Sequence, residues 1–291
     1  MSQPQSPIPF TPSPELYPFE SRFLNSSVGP VHYLDEGSGQ PILMLHGNPT
    51  WSFLYRNVIL GLCGGFRCVA IDYPGFGLSV RPSGYGYTPA DHARIVGELV
   101  EELDLREAIV MGHDWGGPIG LSVATAHAER IGGLALGNTW FWAPDRNLRR
   151  FSRIMSSGPM QRAILERNFF VNRLIPLATT RTLSEEEMDH YRRVQPTAEA
   201  RVGVAELPRQ IISAGDWLDT LESRVPQRLG DRRVLLTWPM RDRAFPAKRM
   251  LPRVRRPFSD VRVVELPRAN HYFQEDAPNE VVRAVIGRFA D

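Results

Sequence analysis

The sequence predicts an α/β fold built on a mostly parallel, doubly wound sheet that is interrupted by a helical insertion. Three observations predict it. Short apolar runs alternate with helix-like segments as far as residue 136; the rhythm then stops, and residues 140–225 read as helical; it resumes afterwards with two more apolar runs and a closing amphipathic helix. The 291 residues, 42% of them hydrophobic, can bury one large core, and they suit a single domain with an insertion better than two independent domains. The expected division is 1–139 for the first part of the core, 140–225 for a helical cap and 226–291 for the second part of the core.

In chain order, the alternating segments Ser21 to Ser26 and Val31 to Asp35 read as a hairpin, and the fully apolar run Pro41 to Leu45 suits a strand buried on both faces. A helix-like stretch from Trp51 to Leu62 leads into the strand Arg67 to Ile71, and Asp72-Tyr73-Pro74-Gly75-Phe76-Gly77 is turn chemistry. Thr88 is an N-cap candidate with Pro89 at the first helical position and Asp91 three residues after the cap. The helix it opens runs to about Leu103, with Ile95, Leu99 and Leu103 on one face. The strand Glu107 to Met111, a helix from Gly117 to Ala128 and the strand Gly133 to Leu136 complete the first run. Inside the insertion Ser184 caps a helix with Glu187 three residues on, Leu183 and Met188 fit the two ends of a hydrophobic staple, and Pro196 ends that helix. The strands Val234 to Thr237 and Val261 to Leu266 bring the total to eight, and the last helix is expected to carry Val282, Val285, Ile286 and Phe289 on one side.

Composition narrows the function classes. Of the 34 basic residues all but Lys248 are arginine, and they are spread along the chain, so the net charge of +2 reflects an arginine bias rather than an acidic partner. The densest basic stretch, Arg241 to Arg256, is broken by Asp242, Phe245 and two prolines and lacks the interleaved aromatics of a single-strand binder, so no nucleic acid is expected as a partner. The leader Met1 to Pro12, with four prolines, reads as a loose arm; it has neither the apolar nor the basic region of a signal peptide, and no membrane association is expected. The two cysteines, Cys63 and Cys68, are not expected to pair, which suits a reducing cytoplasm. No phosphate loop, GxGxxG turn or metal-spaced histidine cluster occurs, so neither a metal nor an organic cofactor is expected.

The chemistry concentrates at Gly112-His113-Asp114-Trp115-Gly116-Gly117, where an apolar strand meets a helix through small residues. A side chain forced into so sharp a turn needs neighbours with little Cβ bulk, and this is the requirement of a nucleophile elbow. Aspartate stands where a serine is usual. A carboxylate displaces a leaving group from saturated carbon to give an alkyl ester, and water then attacks the ester carbonyl and restores the acid. Asp114 could instead merely cap the helix that follows, but His271 and Asp242 both fall just after late strands, at the sheet edge that carries the elbow. Their order along the chain, nucleophile then acid then histidine, fits as well. The other six histidines sit in strands or helices or in backbone motifs: His32, His92, His127 and His190 in the former, His46 and His113 in the latter.

The segments His46-Gly47-Asn48-Pro49-Thr50-Trp51, Asp72 to Gly77 and Gly112 to Gly117, with Asp242 and His271, together resemble a haloalkane dehalogenase of the α/β-hydrolase superfamily over nearly the whole chain. The resemblance implies the α/β-hydrolase fold, eight strands with a helical cap. It implies Asp114 as nucleophile, His271 as base and Asp242 as the acid that orients it. It further implies that the side chains of Asn48 and Trp115 hold the departing halide and that their backbone N–H groups form the oxyanion hole. An indole N–H and a primary amide suit that role as neutral donors that stabilise an anion without retaining it as a cation would. The subfamily resembled is the one with an Asn-Trp clamp and an Asp-His-Asp triad, because no acid occurs at the sixth-strand position Asn138-Thr139-Trp140; Asp145 is the nearest rival to Asp242. A second clamp tryptophan from Trp140, Trp142 or Trp217 stays open, although core or pocket wall is the preferred reading of all three.

The function implied is hydrolysis of a small apolar halogenated substrate by water to an alcohol and a halide ion. Pocket-wall candidates are Phe151, Ile154, Met155, Phe169, Phe170, Leu174 and Ile211, with the Phe169 and Phe170 pair and Phe151 and Ile211 favoured. An epoxide hydrolase shares the triad but commonly uses two cap tyrosines as proton donors, and residues 140–225 contain only Tyr191. Coelenterazine-oxidising luciferases share the same five residues, whereas fluoroacetate-type dehalogenases place arginine where Trp115 stands. A non-catalytic ligand-binding protein on the same fold usually loses a triad member, and none is missing here.

Overall fold

A computed structural model describes residues 8–290. Eight strands form one sheet: β1 (Arg22–Ser26), β2 (Gly29–Gly37), β3 (Gln40–Leu45), β4 (Phe66–Ile71), β5 (Ala108–His113), β6 (Ile131–Gly137), β7 (Arg233–Pro239) and β8 (Asp260–Leu266). Their order across the sheet is β1-β2-β4-β3-β5-β6-β7-β8. The β1–β2 and β2–β4 pairs are antiparallel and every other pair is parallel. Parallel strands need covering on both faces, and the pleat divides β3 and β4 accordingly. Leu43, Leu45, Val69 and Ile71 enter one core with the helices Pro89–Glu102, Gly116–Ala126 and Gly215–Leu229. Ile42, Met44, Cys68 and Ala70 enter the other with the helices Arg56–Leu62 and Pro278–Phe289.

Local signals set the helix starts. Thr88 and Asp91 form a complete capping box, as do Ser184 and Glu187, and Leu183 and Met188 are both buried in one cluster as a staple requires. Between β6 and β7 lie the helices Arg146–Met155, Gly158–Arg167, Glu185–Arg193 and Val202–Ser213, with a π-helical turn over Phe170–Leu174. The expected boundary at residue 225 falls inside the helix Gly215–Leu229, whose Leu218, Leu221, Val225 and Leu229 are buried. Among the described residues no helix is long and apolar enough to cross a membrane, and both cysteines are unpaired.

Two expectations are corrected and one helix is added. Residues 8–12 are not a loose arm, since Ile8 and Phe10 are buried, Phe10 meets the His190 ring edge-on at 5.3 Å and Arg193 lies over it; residues 1–7 of that leader lie outside the described residues. The closing helix buries Val281, Ala284, Val285 and Phe289, with Val282 partly buried against the same core, while Ile286 is exposed, because the helix meets the sheet along the 281, 284/285 and 289 positions and 286 lies off that face. A helix over Ala247–Arg255 went unforeseen: its two buried residues, Met250 and Val254, are too sparse a stripe to stand out among the arginines.

The reversal of winding direction falls at β3, which has β4 on one side and β5 on the other. Loops leaving the carboxyl ends of β3 and β5 therefore diverge and leave a crevice between them, where ligands bind in open sheets of this kind. Asn48 follows β3 and Asp114 follows β5.

Candidate active site

Asp114 occupies the residue between strand and helix with φ +52°, a left-handed conformation that costs a non-glycine residue energy and persists only where its surroundings hold it. They do so through the backbone: its N–H donates to the Asn138 carbonyl at 3.1 Å, and its carbonyl accepts from Thr139 Oγ1 at 2.7 Å. The flanking glycines are sterically required. A Cβ on Gly112 would lie 2.7 Å from the Gly116 carbonyl oxygen, and one on Gly117 would collide with Thr139. Gly47 matters for a different reason, because a Cβ there would stand 2.8 Å from Asp114 Cγ. Its absence lets the carboxylate reach the loop after β3, where Oδ1 accepts from the Asn48 backbone N–H at 2.9 Å.

Asp242 and His271 reach the same point because their loops stay paired beyond the ends of β7 and β8: Met240 N–H donates to Leu266 O at 3.0 Å and Arg241 N–H to Ala269 O at 3.1 Å. His271 Nδ1 lies 2.8 Å from Asp242 Oδ2, and His271 Nε2 lies 3.9 Å from Asp114 Oδ2. A carboxylate only accepts, so Nδ1 carries a proton toward Asp242, and in the neutral ring Nε2 is the nitrogen left to take one up. Asp242 Oδ1 also accepts from Ala244 N–H at 2.6 Å. The ring of His271 is stacked on Phe245 at 5.5 Å and meets Tyr272 edge-on at 4.9 Å.

The three groups titrate as a coupled set. Burial pushes the Asp114 carboxyl above its ordinary value despite the opposing pull of His271 and of the Asn48 and Trp115 backbone N–H groups. Burial also opposes charge on Asp242, yet His271 and the Ala244 and Phe245 N–H groups hold it below the ordinary carboxylate value. His271 is drawn down by burial and raised by Asp242 and then Asp114, with a net rise above 6.5.

Asn48, Trp115, Asp114, Asp242 and His271 all line one cavity of about 1160 Å³. One amide hydrogen of Asn48 Nδ2 is taken by the Val204 carbonyl at 3.1 Å, which leaves the second free, and Trp115 packs edge-on against Trp140 at 4.8 Å. Asp145 is spent as the N-cap of the helix Arg146–Met155, where Oδ1 accepts from Asn147 and Leu148 N–H. It therefore does not compete with Asp242.

A family model described as the alpha/beta hydrolase fold matches residues 40–278. Haloalkane dehalogenase 2 of Mycobacterium tuberculosis is 56% identical over 283 residues, covering 97% of this chain and 99% of the relative. The chain belongs to the haloalkane dehalogenase family of α/β-hydrolases. The crystal structure of the haloalkane dehalogenase DbeA from Bradyrhizobium elkani USDA94 superposes with a TM-score of 0.84 at 26% identity, covering 92% of this chain and 97% of that one. A relative in Shewanella oneidensis, named cis-3-alkyl-4-alkyloxetan-2-one decarboxylase, is 31% identical over 280 residues, covering 92% of this chain and 87% of the relative.

In this dehalogenase-family chain the helical insertion contributes an apolar part of the cavity wall through Leu148, Phe151, Phe170, Leu174, Leu177, Pro208 and Ile211. Phe169 is a correction. It is half-buried against the core and does not line the cavity, because successive residues of a helical turn point in different directions and only Phe170 faces inward. Ile154 and Met155 do not line it either. Of the three tryptophans considered for a second clamp, only Trp140 lines the cavity, with a buried indole N–H that has no partner; Trp142 lies beneath Arg253 at 4.4 Å, and Trp217 is packed against the core. Tyr191, the single tyrosine of the insertion, is buried and donates its hydroxyl to Glu275. Tyr272 does line the cavity, but its hydroxyl is committed to the Asn48 carbonyl at 3.2 Å.

Sequence reasoning missed the residues that hold the backbone of His271. His113 Nε2 and Asn138 Nδ2 both donate to its carbonyl, at 3.0 and 3.2 Å. Their positions beside the elbow and at the end of β6 were visible, but a pairing across more than a hundred residues leaves no mark on local pattern.

Proposed function

We propose that this chain hydrolyses small apolar haloalkanes by way of a covalent alkyl ester on Asp114, with residues 140–225 acting as the cap that closes the cavity. An Asp114 carboxylate oxygen attacks the halogen-bearing carbon, the carbon–halogen bond breaks, and the halide leaves with the bonding pair toward the free Asn48 amide hydrogen and the Trp115 indole. Water then attacks the ester carbonyl carbon while His271 takes its proton, the carbonyl oxygen being received by the Asn48 and Trp115 backbone N–H groups. The alcohol departs, and one proton is released with the halide. The observation that carries this reading is a carboxylate, not a hydroxyl, at the strained bend, with a histidine ring nitrogen 3.9 Å away on the same cavity.

Electrostatics support the two-step order. A carboxylate whose charge is disfavoured by burial is relieved when it becomes a neutral ester. The same loss of charge removes one of the two anions that raise His271, so the base becomes easier to deprotonate at the moment it is needed. His271 must be neutral to act, so hydrolysis is complete above its pKa and fails as pH falls through it. The acid limb of single-turnover ester hydrolysis is therefore expected at lower pH than the His271 titration followed by NMR in the free protein. Coincident midpoints would show that Asp114 is still charged during the hydrolytic step.

Three substrates separate this function from its neighbours. Halide release from 1-bromobutane is the expected activity; diol from styrene oxide is expected at no more than about a hundredth of that rate, given the cost of a missing proton donor, and carbon dioxide from a cis-3,4-dialkyloxetan-2-one is expected to form more slowly than halide. No tyrosine hydroxyl lies free in the cavity to protonate an epoxide oxygen, since Tyr191 is tied to Glu275 and Tyr272 to Asn48. Diol or carbon dioxide formed without halide release would replace the reading.

A further inference from the structure

We propose that Asp276 is a positioning residue for the ester-hydrolysis step, pinning the loop that carries His271 to residues 177–181 of the helical insertion so that one wall of the cavity sets where the base stands. This inference rests on the function proposed above. Asp276 does not line the cavity and touches none of the five residues discussed as reacting or halide-binding groups. Its carboxylate instead gathers three backbone donors from two parts of the chain. Oδ1 accepts from Thr180 N–H at 2.7 Å and Arg181 N–H at 3.1 Å, and Oδ2 accepts from Asn270 N–H at 2.8 Å.

The residue after that last donor is His271. Asn270 continues the link in both directions: its Oδ1 accepts from His271 N–H at 2.9 Å, and its Nδ2 donates to the Leu177 carbonyl at 3.3 Å. On the other side of His271, Tyr272 N–H donates to the Ala178 carbonyl at 3.2 Å. The base is thus bracketed by hydrogen bonds to a segment of which Leu177, Ala178 and Thr180 line the cavity. Hydrogen bonds to an ionised acceptor are stronger than neutral ones, and Asp276 accepts two from the insertion and one from Asn270 beside the base at once.

A simpler role as a helix cap does not account for these partners. The helix Pro278–Phe289 has Ala277 at its N-cap, and none of the donors to Asp276 belongs to it. The neighbouring Glu275 divides the labour, because it faces the buried cluster of Arg56, Arg181 and Tyr191 and so ties the insertion to the core by charge. Asp276 acts on the loop backbone alone.

His271 takes no part in carbon–halogen cleavage, so loosening its loop slows one step and spares the other; a displacement of about 1 Å in a reacting group can cost about a hundredfold. The test is rapid-quench kinetics of Asp276→Ala with 1-bromobutane, reading halide and alcohol separately. Halide release in the first turnover is expected within about threefold of the unaltered protein, while alcohol formation falls at least about tenfold and the alkyl ester accumulates. Asp276→Glu, which keeps the carboxylate, is expected to recover part of the loss, and Asn270→Ala to reproduce the step-selective defect. Equal slowing of both steps, or of neither, would overturn the proposal. If Asp276→Ala does not fold, Asn270→Ala decides by the same readout. Absence of any alkyl ester in the unaltered protein would instead overturn the function on which the proposal rests.

Discussion

Asp114→Asn is expected to release no halide from 1-bromobutane, a loss of at least about four orders of magnitude, as for other enzymes deprived of their nucleophile. An amide cannot displace halide, and no second carboxylate is available: Asp242, the other acid lining the cavity, is bonded to His271 and to Ala244. The substitution is otherwise mild. Asparagine tolerates the left-handed conformation at φ +52°, and its side-chain oxygen can still accept from the Asn48 N–H. The raised pKa of Asp114 adds a sign to the stability prediction, since a group whose folded-state pKa lies above its unfolded value destabilises the fold in its charged form at neutral pH. Removing the charge is expected to leave the melting midpoint unchanged or higher. Inactivity with retained or increased stability separates loss of chemistry from loss of structure, as in other sites that trade stability for function. Continued bromide release would remove Asp114 from the nucleophilic role.

His271→Phe gives the second largest effect and a different one. A phenyl ring fits between Phe245 and Tyr272, so the cavity keeps its shape. The first step proceeds, and a burst of halide approaching one equivalent per active site is expected. The second step loses its base and slows by about two to four orders of magnitude, the usual share of general base catalysis. Stability moves the opposite way from the first variant. Asp242 is buried, and its carboxyl is held below the ordinary value chiefly against burial by His271, so deletion of the imidazole leaves a buried anion short of its partner. A lower melting midpoint at neutral pH follows, recovering as pH falls and Asp242 takes up a proton. A variant that turns over many equivalents of bromide would show that water reaches the ester without this base.

How much of this was legible in the sequence depends on the range of the interaction. The elbow, the capping boxes at Thr88 and Ser184 and the strand runs are local patterns, and each reappears in the structure close to where it was read. Of the site residues, Asp114, Asp242, His271, Asn48 and Trp115 lie around one cavity as their motifs implied. What could not be read was orientation. Phe169 and Phe170 are equivalent as letters, yet one faces the core and the other the cavity. Ile286 fits the apolar stripe of the last helix but is exposed, and Ile8 and Phe10, in a proline-rich leader, are buried. Nor does any local pattern tell that Asn138 and His113 hold His271 or that Asp276 joins two loops, because those partners are fixed only when the sheet edge assembles.

In the covalent mechanism the carboxylate of residue 114 becomes the ester and gives up one of its own oxygens to the alcohol. A single turnover in water enriched in oxygen-18, with protein in excess over 1-bromobutane, followed by peptide mapping and analysis of the alcohol, measures this directly. The heavy oxygen is expected in the peptide that contains Asp114, with unlabelled butanol, because water attacks the ester carbonyl carbon and the departing alcohol carries the original carboxylate oxygen. Labelled butanol beside an unlabelled Asp114 would mean that water attacked the halogenated carbon itself, and the covalent mechanism would be contradicted.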